Sequence, residues 1–164
     1  MANTTELPDS AARVAQLLRE RGHDQPVVLL PSTGKSSAEA ARELGCDVAE
    51  IAKSIVFRRL DDDAAVMVIA SGADRIDEAR VAALVGAIGK ADARFVKEKI
   101  GYAIGGVCPI GHVQQSVVLI DGNLFNYPSV WAAAGHPHAV FKLTPAQLQA
   151  MTGAPTVDVR QVRI

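Results

Sequence analysis

The chain has 164 residues, 49% of them hydrophobic and 21% charged, with a formal net charge of −1 and a pI near 6.4. That length supports one domain with a substantial core, so residues 1–164 read as a single unit of ordinary soluble composition. The near-neutral charge excludes a global pull toward nucleic acid, leaving only a local patch for any RNA contact, and no apolar run approaches the length of a membrane span.

The opening residues lack the basic start and apolar stretch of a signal peptide. Asp9 or Ser10 then caps a helix carrying Ala11, Val14, Leu17 and Leu18 on one side and ending near Gly22. Residues 27–30 read as a strand between two prolines. Ser36-x-x-Glu39 is a capping box opening an alanine-rich helix to Leu44, with Gly45 as its stop. Asp47-x-x-Glu50 predicts a second, very short helical start. Residues 53–59 alternate as a strand, residues 61–63 are three aspartates forming a turn, and residues 64–70 form an apolar strand covered on both faces. The tight turn makes these two strands antiparallel.

Helices follow at 77–85 and 92–100, then a buried strand at 117–120. Residues 129–134 read as a short helix, 138–143 as a strand, and Thr144-Pro145-x-Gln147 as a capping box with proline at the first helical position. A last strand is expected at 157–159. Interspersed helices and strands with one antiparallel pair exclude a purely parallel sheet and predict a mixed one with helices packed around it. Two cysteines, Cys46 and Cys108, form neither a metal-ligand pattern nor a disulfide framework, which suits a reduced cytoplasm. Nothing in the sequence points to a metal or a cofactor.

Two segments carry chemistry. In Lys53-Ser-Ile-Val-Phe-Arg58, alternation puts Lys53 on the face of Ile55 and Phe57. A lysine there is partly desolvated, with a lowered pKa or a partner, and can present a cation to a carbonyl, a phosphate or an oxyanion. It can equally start the strand and extend its ammonium to water. In Gly101-Tyr-Ala-Ile-Gly-Gly-Val-Cys-Pro-Ile-Gly-His112, glycines allow main-chain groups to face a ligand, or simply make a turn. Cys108 and His112 could pair as nucleophile and base, but no third orienting group is nearby; a packed thiol and a hydrogen-bonding imidazole fit better. Gly34-Lys35-Ser36 imitates a phosphate-binding loop, yet Leu29 stands where that motif needs glycine, and Ser36 as a helix cap explains the same residues.

The lysine strand and the Gly-Gly-Val-x-Pro-x-Gly loop together resemble the YbaK family, also called the prolyl-tRNA-synthetase-associated editing domain. The order of the remaining pieces agrees, and the resemblance covers roughly residues 26–160. It implies an α+β fold: a mixed, partly antiparallel, barrel-like β-sheet surrounded by helices. It implies hydrolysis of the ester of mischarged aminoacyl-tRNA, most often tRNA for proline carrying a small amino acid, by a free-standing trans-editing factor with a possible association with prolyl-tRNA synthetase. The family's functional lysine corresponds to Lys53. Its substrate-binding loop corresponds to Gly105, Gly106, Val107, Cys108, Pro109 and Gly111, with His112 beside it. Cys108 departs from the small residue often found there in relatives, which leaves the amino-acid preference open.

Such an ester is already activated, so an oriented water and a stabilised oxyanion suffice, and in relatives a ribose hydroxyl is proposed to help activate the water. Bulk at Gly106 is expected to block substrate. Arg58, Arg59, Lys90, Arg94, Lys97 and Lys99 are candidate phosphate contacts or, equally, a solvated helix face. A non-catalytic module recognising an aminoacyl or nucleotide-like ligand stays open, because resemblance does not guarantee turnover.

Overall fold

A computed structural model describes residues 7–31 and 36–162. Helix α1 spans Asp9–Glu20; Pro8 rather than Asp9 or Ser10 sits at the N-cap, with no side chain capping it. Strand β1 (Val27–Leu29) follows, then α2 (Ser37–Leu44). Ser36 Oγ accepts the Glu39 N–H at 3.2 Å, and Gly45 closes the helix in the left-handed conformation at φ 71°. Gly34 and Lys35 of the phosphate-loop imitation lie outside the described residues. After a 3-10 turn at Val48–Glu50 come β2 (Ile51–Arg59) and β3 (Ala65–Ser71), whose residues are all buried. Next come α3 (Glu78–Val85), β4 (Ile88–Lys90), α4 (Ala93–Lys99) and β5 (Val117–Asp121). A second 3-10 turn at Gly122–Asn126 leads to β6 (Val130–Ala133), β7 (Ala139–Leu143), α5 (Pro145–Thr152) and β8 (Thr156–Val157).

The strands form one mixed sheet in the order β1-β7-β6-β2-β3-β5-β8, with β4 also paired to β2. β2 and β3 are antiparallel, whereas β6 runs parallel to β2 and β5 parallel to β3. The fold is thus α+β with a mixed, partly antiparallel sheet. Because β3 is central, its alternate side chains feed two cores. Met67 and Ile69 join Ile120, Phe141 and Leu148 beneath α1 and α5, and Val66 and Val68 join Phe57, Val81 and Val159 beneath α3.

One expected element is wrong. Within residues 129–134 the chain forms strand β6, Val130–Ala133, not a helix. Alanines favour a helix, but Pro128 and Gly135 bracket too few residues to repay helix nucleation. Pairing with β7 from Val130 to Ala133 satisfies the backbone instead, and burial alternates, with Val130 and Ala132 inside. Strand β4 was not legible, since three residues with a central glycine carry no periodic signal.

Met67 is fully buried in this sheet. Met67→Ala should cost about 2–5 kcal/mol through lost contacts and a residual cavity, read as a lower urea midpoint at unchanged slope.

Candidate functional site

β2 is paired along its whole length to β3 on one edge. On its other edge the ladder to β6 stops at Ala52 and that to β4 starts only at Phe57. Bonds from Gly72 N–H to Ile51 O and from Arg59 N–H to Ala64 O show that odd-numbered peptide groups of β2 point toward β3. The N–H and C=O of Ser54 therefore point into the gap. A cleft of about 490 Å³ occupies this split, within the range of small-molecule sites. Because the sheet parts here, groups from both its faces reach one space. Leu30, Ile51, Lys53 and Trp131 come from one side, and Ala52, Val107, Ala132 and Ala139 from the other. The start of α2, at Ser36 and Ser37, adds the positive end of a helix.

Lys53 is half-buried. Burial lowers its pKa below the usual lysine value of 10.5, opposed by the negative charge of Asp74. Its Nζ donates to the Asp74 main-chain carbonyl, and the Asp74 carboxylate in turn accepts from Asn123 Nδ2 at 2.6 Å. The ammonium is thus tethered through a neutral carbonyl, so its charge is not cancelled by a contacting carboxylate.

The glycine loop divides into two halves. Gly105 and Val107 line the cleft with Lys53, together with Ile104. Gly105 has φ 92° and is exposed, so the backbone turn favours glycine there, while a Cβ would only touch Pro137 at 3.7 Å. Gly106, Cys108, Pro109, Gly111 and His112 do not line the cleft. A Cβ on Gly106 would lie 2.7–2.8 Å from main-chain atoms of His136, so bulk there displaces the loop from the turn after β6 and does not project into the substrate space.

Three carbonyls of the second half are held by side chains. Tyr102 donates to Ile110 O at 2.8 Å, Arg13 donates to Gly111 O at 2.9 Å, and His112 Nε2 donates to Cys108 O at 2.8 Å. With its Nε2 proton so used, His112 Nδ1 lies 3.1 Å from Ser116 Oγ. Cys108 and His112 are neighbours, but through the cysteine's carbonyl. Burial pushes the Cys108 thiol up to about 12, and desolvation likewise raises the Tyr102 hydroxyl. Such a thiol is no nucleophile at neutral pH.

Reasoning on the sequence missed Ser54, Trp131, Pro137 and His138 as cleft-lining residues. The chain's single tryptophan was a usable signal, but reading its strand as a helix hid it. Of the proposed phosphate contacts, Arg58, Arg59 and Arg94 are bonded to Asp63, Asp62 and Glu98 at 2.6, 2.7 and 3.0 Å. Lys90, Lys97 and Lys99 form no ion pair among the described residues, and Lys99 Nζ lies 5.9 Å from the Phe95 ring centroid.

Tyr102→Phe should cost about 1–3 kcal/mol in urea unfolding, because the buried Ile110 carbonyl loses its donor. Burial lowers the pKa of His112 below 6.5, so the folded state favours the neutral ring. The unfolded chain then binds more protons as pH falls. The stabilising contribution is present above the ordinary value and lost on going below it. His112→Gln keeps an N–H donor without a titrating ring. Its stability should therefore fall less than that of the wild type between pH 7.5 and pH 5.5.

Residues 31–151 match the aminoacyl-tRNA editing domain family. YwhH of Bacillus subtilis (strain 168), an uncharacterized protein, is 32% identical over 111 residues, covering 67% of this chain and 70% of that one. A solved structure described as a candidate trans-editing enzyme for prolyl tRNA synthetase is 39% identical, covers 96% of this chain and 100% of its own, and superposes with a TM-score of 0.89. A further structure, of the hypothetical protein APE2540, is 27% identical with a TM-score of 0.83, covering 91% of this chain and 99% of that one. With more than half of its length matched and its mixed sheet shared, the chain belongs to the aminoacyl-tRNA editing domain family, the YbaK family.

Proposed function

We propose that the chain hydrolyses the ester of mischarged aminoacyl-tRNA, as a free-standing trans-editing factor acting on tRNA for proline that carries a small non-cognate amino acid. One observation carries this reading: a tethered lysine and an unpaired strand edge border the same cleft as Gly105 and a set of alanines. The choice of tRNA draws on the relative described as serving prolyl tRNA synthetase. An association with that synthetase would deliver the mischarged tRNA.

In this reading the ester carbonyl lies between Lys53 and the Ser54 N–H. Water adds to the carbonyl carbon, and the developing oxyanion is stabilised by the ammonium and the peptide donor, both fixed before the reaction. Collapse of the tetrahedral species expels the ribose oxygen, which takes up a proton as the free amino acid leaves. No side-chain nucleophile is needed, in keeping with the sealed thiol of Cys108. Ala52, Ala132, Ala133 and Ala139 line the cleft and leave room for a small side chain. Each extra methylene changes discrimination by about 1–3 kcal/mol, so shape rejects large residues better than it separates small ones. Of the loop, Gly105 and Val107 meet substrate. Gly106, Cys108, Pro109, Gly111 and His112 act by holding that surface in place.

Purified protein tested against a panel of tRNAs differing in amino acid and tRNA body should release small amino acids from tRNA for proline. Retention of every ester intact while the tRNAs still bind would favour a binding module instead. Lys53→Ala should lower kcat by roughly 100- to 1,000-fold, the usual loss on removing one oxyanion-stabilising group. Undiminished turnover in a folded variant would remove Lys53 from the mechanism.

A further inference from the structure

We infer that Ser54 is a specificity-determining contact, selecting an aminoacyl group whose side chain bears a hydroxyl over an alanyl group of nearly the same size. This rests on the deacylase reading above and adds a substrate class to it. Ser54 lines the cleft, and its Oγ is the one buried side-chain polar atom among the described residues that has no hydrogen-bond partner. Buried hydroxyls are nearly always paired, so an orphan at the wall of a cleft marks a partner supplied from outside the chain. Its setting sharpens this. Ala52 and Val56, its neighbours on the same strand face, belong to an apolar cluster with Val107, Ala132 and Ala139. None of those five side chains can donate or accept a hydrogen bond.

Serine rotates about one bond between three staggered positions. The hydroxyl has no bond to give up when it turns toward the cleft. It both donates and accepts, so it can meet a substrate hydroxyl in either sense. An apolar chamber distinguishes a hydroxymethyl from a methyl group poorly, whereas a site with a polar group awaiting a partner penalises the ligand that leaves it unpaired. The backbone N–H and C=O of the same residue face the ester and the α-amine. Position 54 therefore couples recognition of the side chain to placement of the reacting carbonyl.

The test compares seryl and alanyl esters on the same tRNA for proline, with wild-type protein, Ser54→Ala and Ser54→Thr. Wild type should favour the seryl ester. Ser54→Ala should shift the seryl-to-alanyl ratio of kcat/KM toward alanine by roughly 10-fold, the value of one neutral hydrogen bond. Its Tm should be equal or higher, since an unpaired buried hydroxyl is removed. Ser54→Thr keeps the hydroxyl in a strand that suits β-branched residues and should retain the wild-type ratio. An unchanged ratio in Ser54→Ala, or equal loss on both esters, overturns the inference while leaving the deacylase reading intact. Wild-type protein that leaves both esters whole overturns the deacylase reading, and this inference with it.

Discussion

The parting of β2 from β6 is the constraint on which the rest of the site depends. A central strand ordinarily spends its peptide groups on both neighbours, and an unpaired buried N–H or C=O is costly. Here the parallel ladder holds only at Ile51 and Ala52, and β4 reclaims the edge from Phe57 onward. The stretch between is tolerated because it borders a cleft, where water or a ligand can serve the free groups. The turn after β6 sustains the divergence. Gly135 has φ 89°, and a side chain there would run into Ser10 O and Val14 of α1. The hairpin is then closed by Ala134 N–H to Ala139 O. The opening is built from packing on α1 and from the β6–β7 connection, whose Pro137 and His138 also line it.

That geometry explains why the glycine loop has two characters. Its second half is a plug, with carbonyls at 108, 110 and 111 held by His112, Tyr102 and Arg13. Gly111 has φ 78° and lies so close to Leu17 and the Tyr102 hydroxyl that a Cβ would meet them at 2.6 and 2.7 Å. The plug fixes where residues 104–107 emerge beside the sheet split. A buried half therefore sets the position of a half whose tip, Ile104 and Gly105, is exposed. This is the arrangement that preorganised main-chain contacts require.

Local chemistry made much of the fold readable. The Ser36 and Thr144 caps, the Gly45 stop and the aspartate turn depend on residues within a few positions of one another, and each appears where the spacing puts it. Lys53 stood out for the same reason, as a charge in an apolar alternation. The rest depends on contacts across the chain. Arg13 reaches Gly111 over 98 positions, and the atoms that forbid a side chain at Gly106 belong to His136. No local pattern separates glycines that face a cleft from glycines pressed against another segment. The strand Val130–Ala133 was misread because alanine propensity is local while its two ladders are not. Ser54 was passed over because an isolated serine in a strand is unremarkable until its surroundings are known to lack partners.

The cleft volume bears on how such a site can be selective. At about 490 Å³ it exceeds what a small amino-acid side chain fills, so in the proposed reading it has room for the ester and part of the terminal nucleoside as well. Contacts to that common portion bind every misloaded tRNA alike and supply no discrimination, though they can hold the carbonyl against Lys53 and the Ser54 N–H. Selection must then reside in the fraction of the wall that touches the side chain. Alanines there set an upper limit on size without choosing among the smallest residues. In the proposed reading, the unpaired Ser54 hydroxyl beside these alanines distinguishes substrates of equal volume. It does so at a modest cost to the free protein, and only when the correct partner removes that cost.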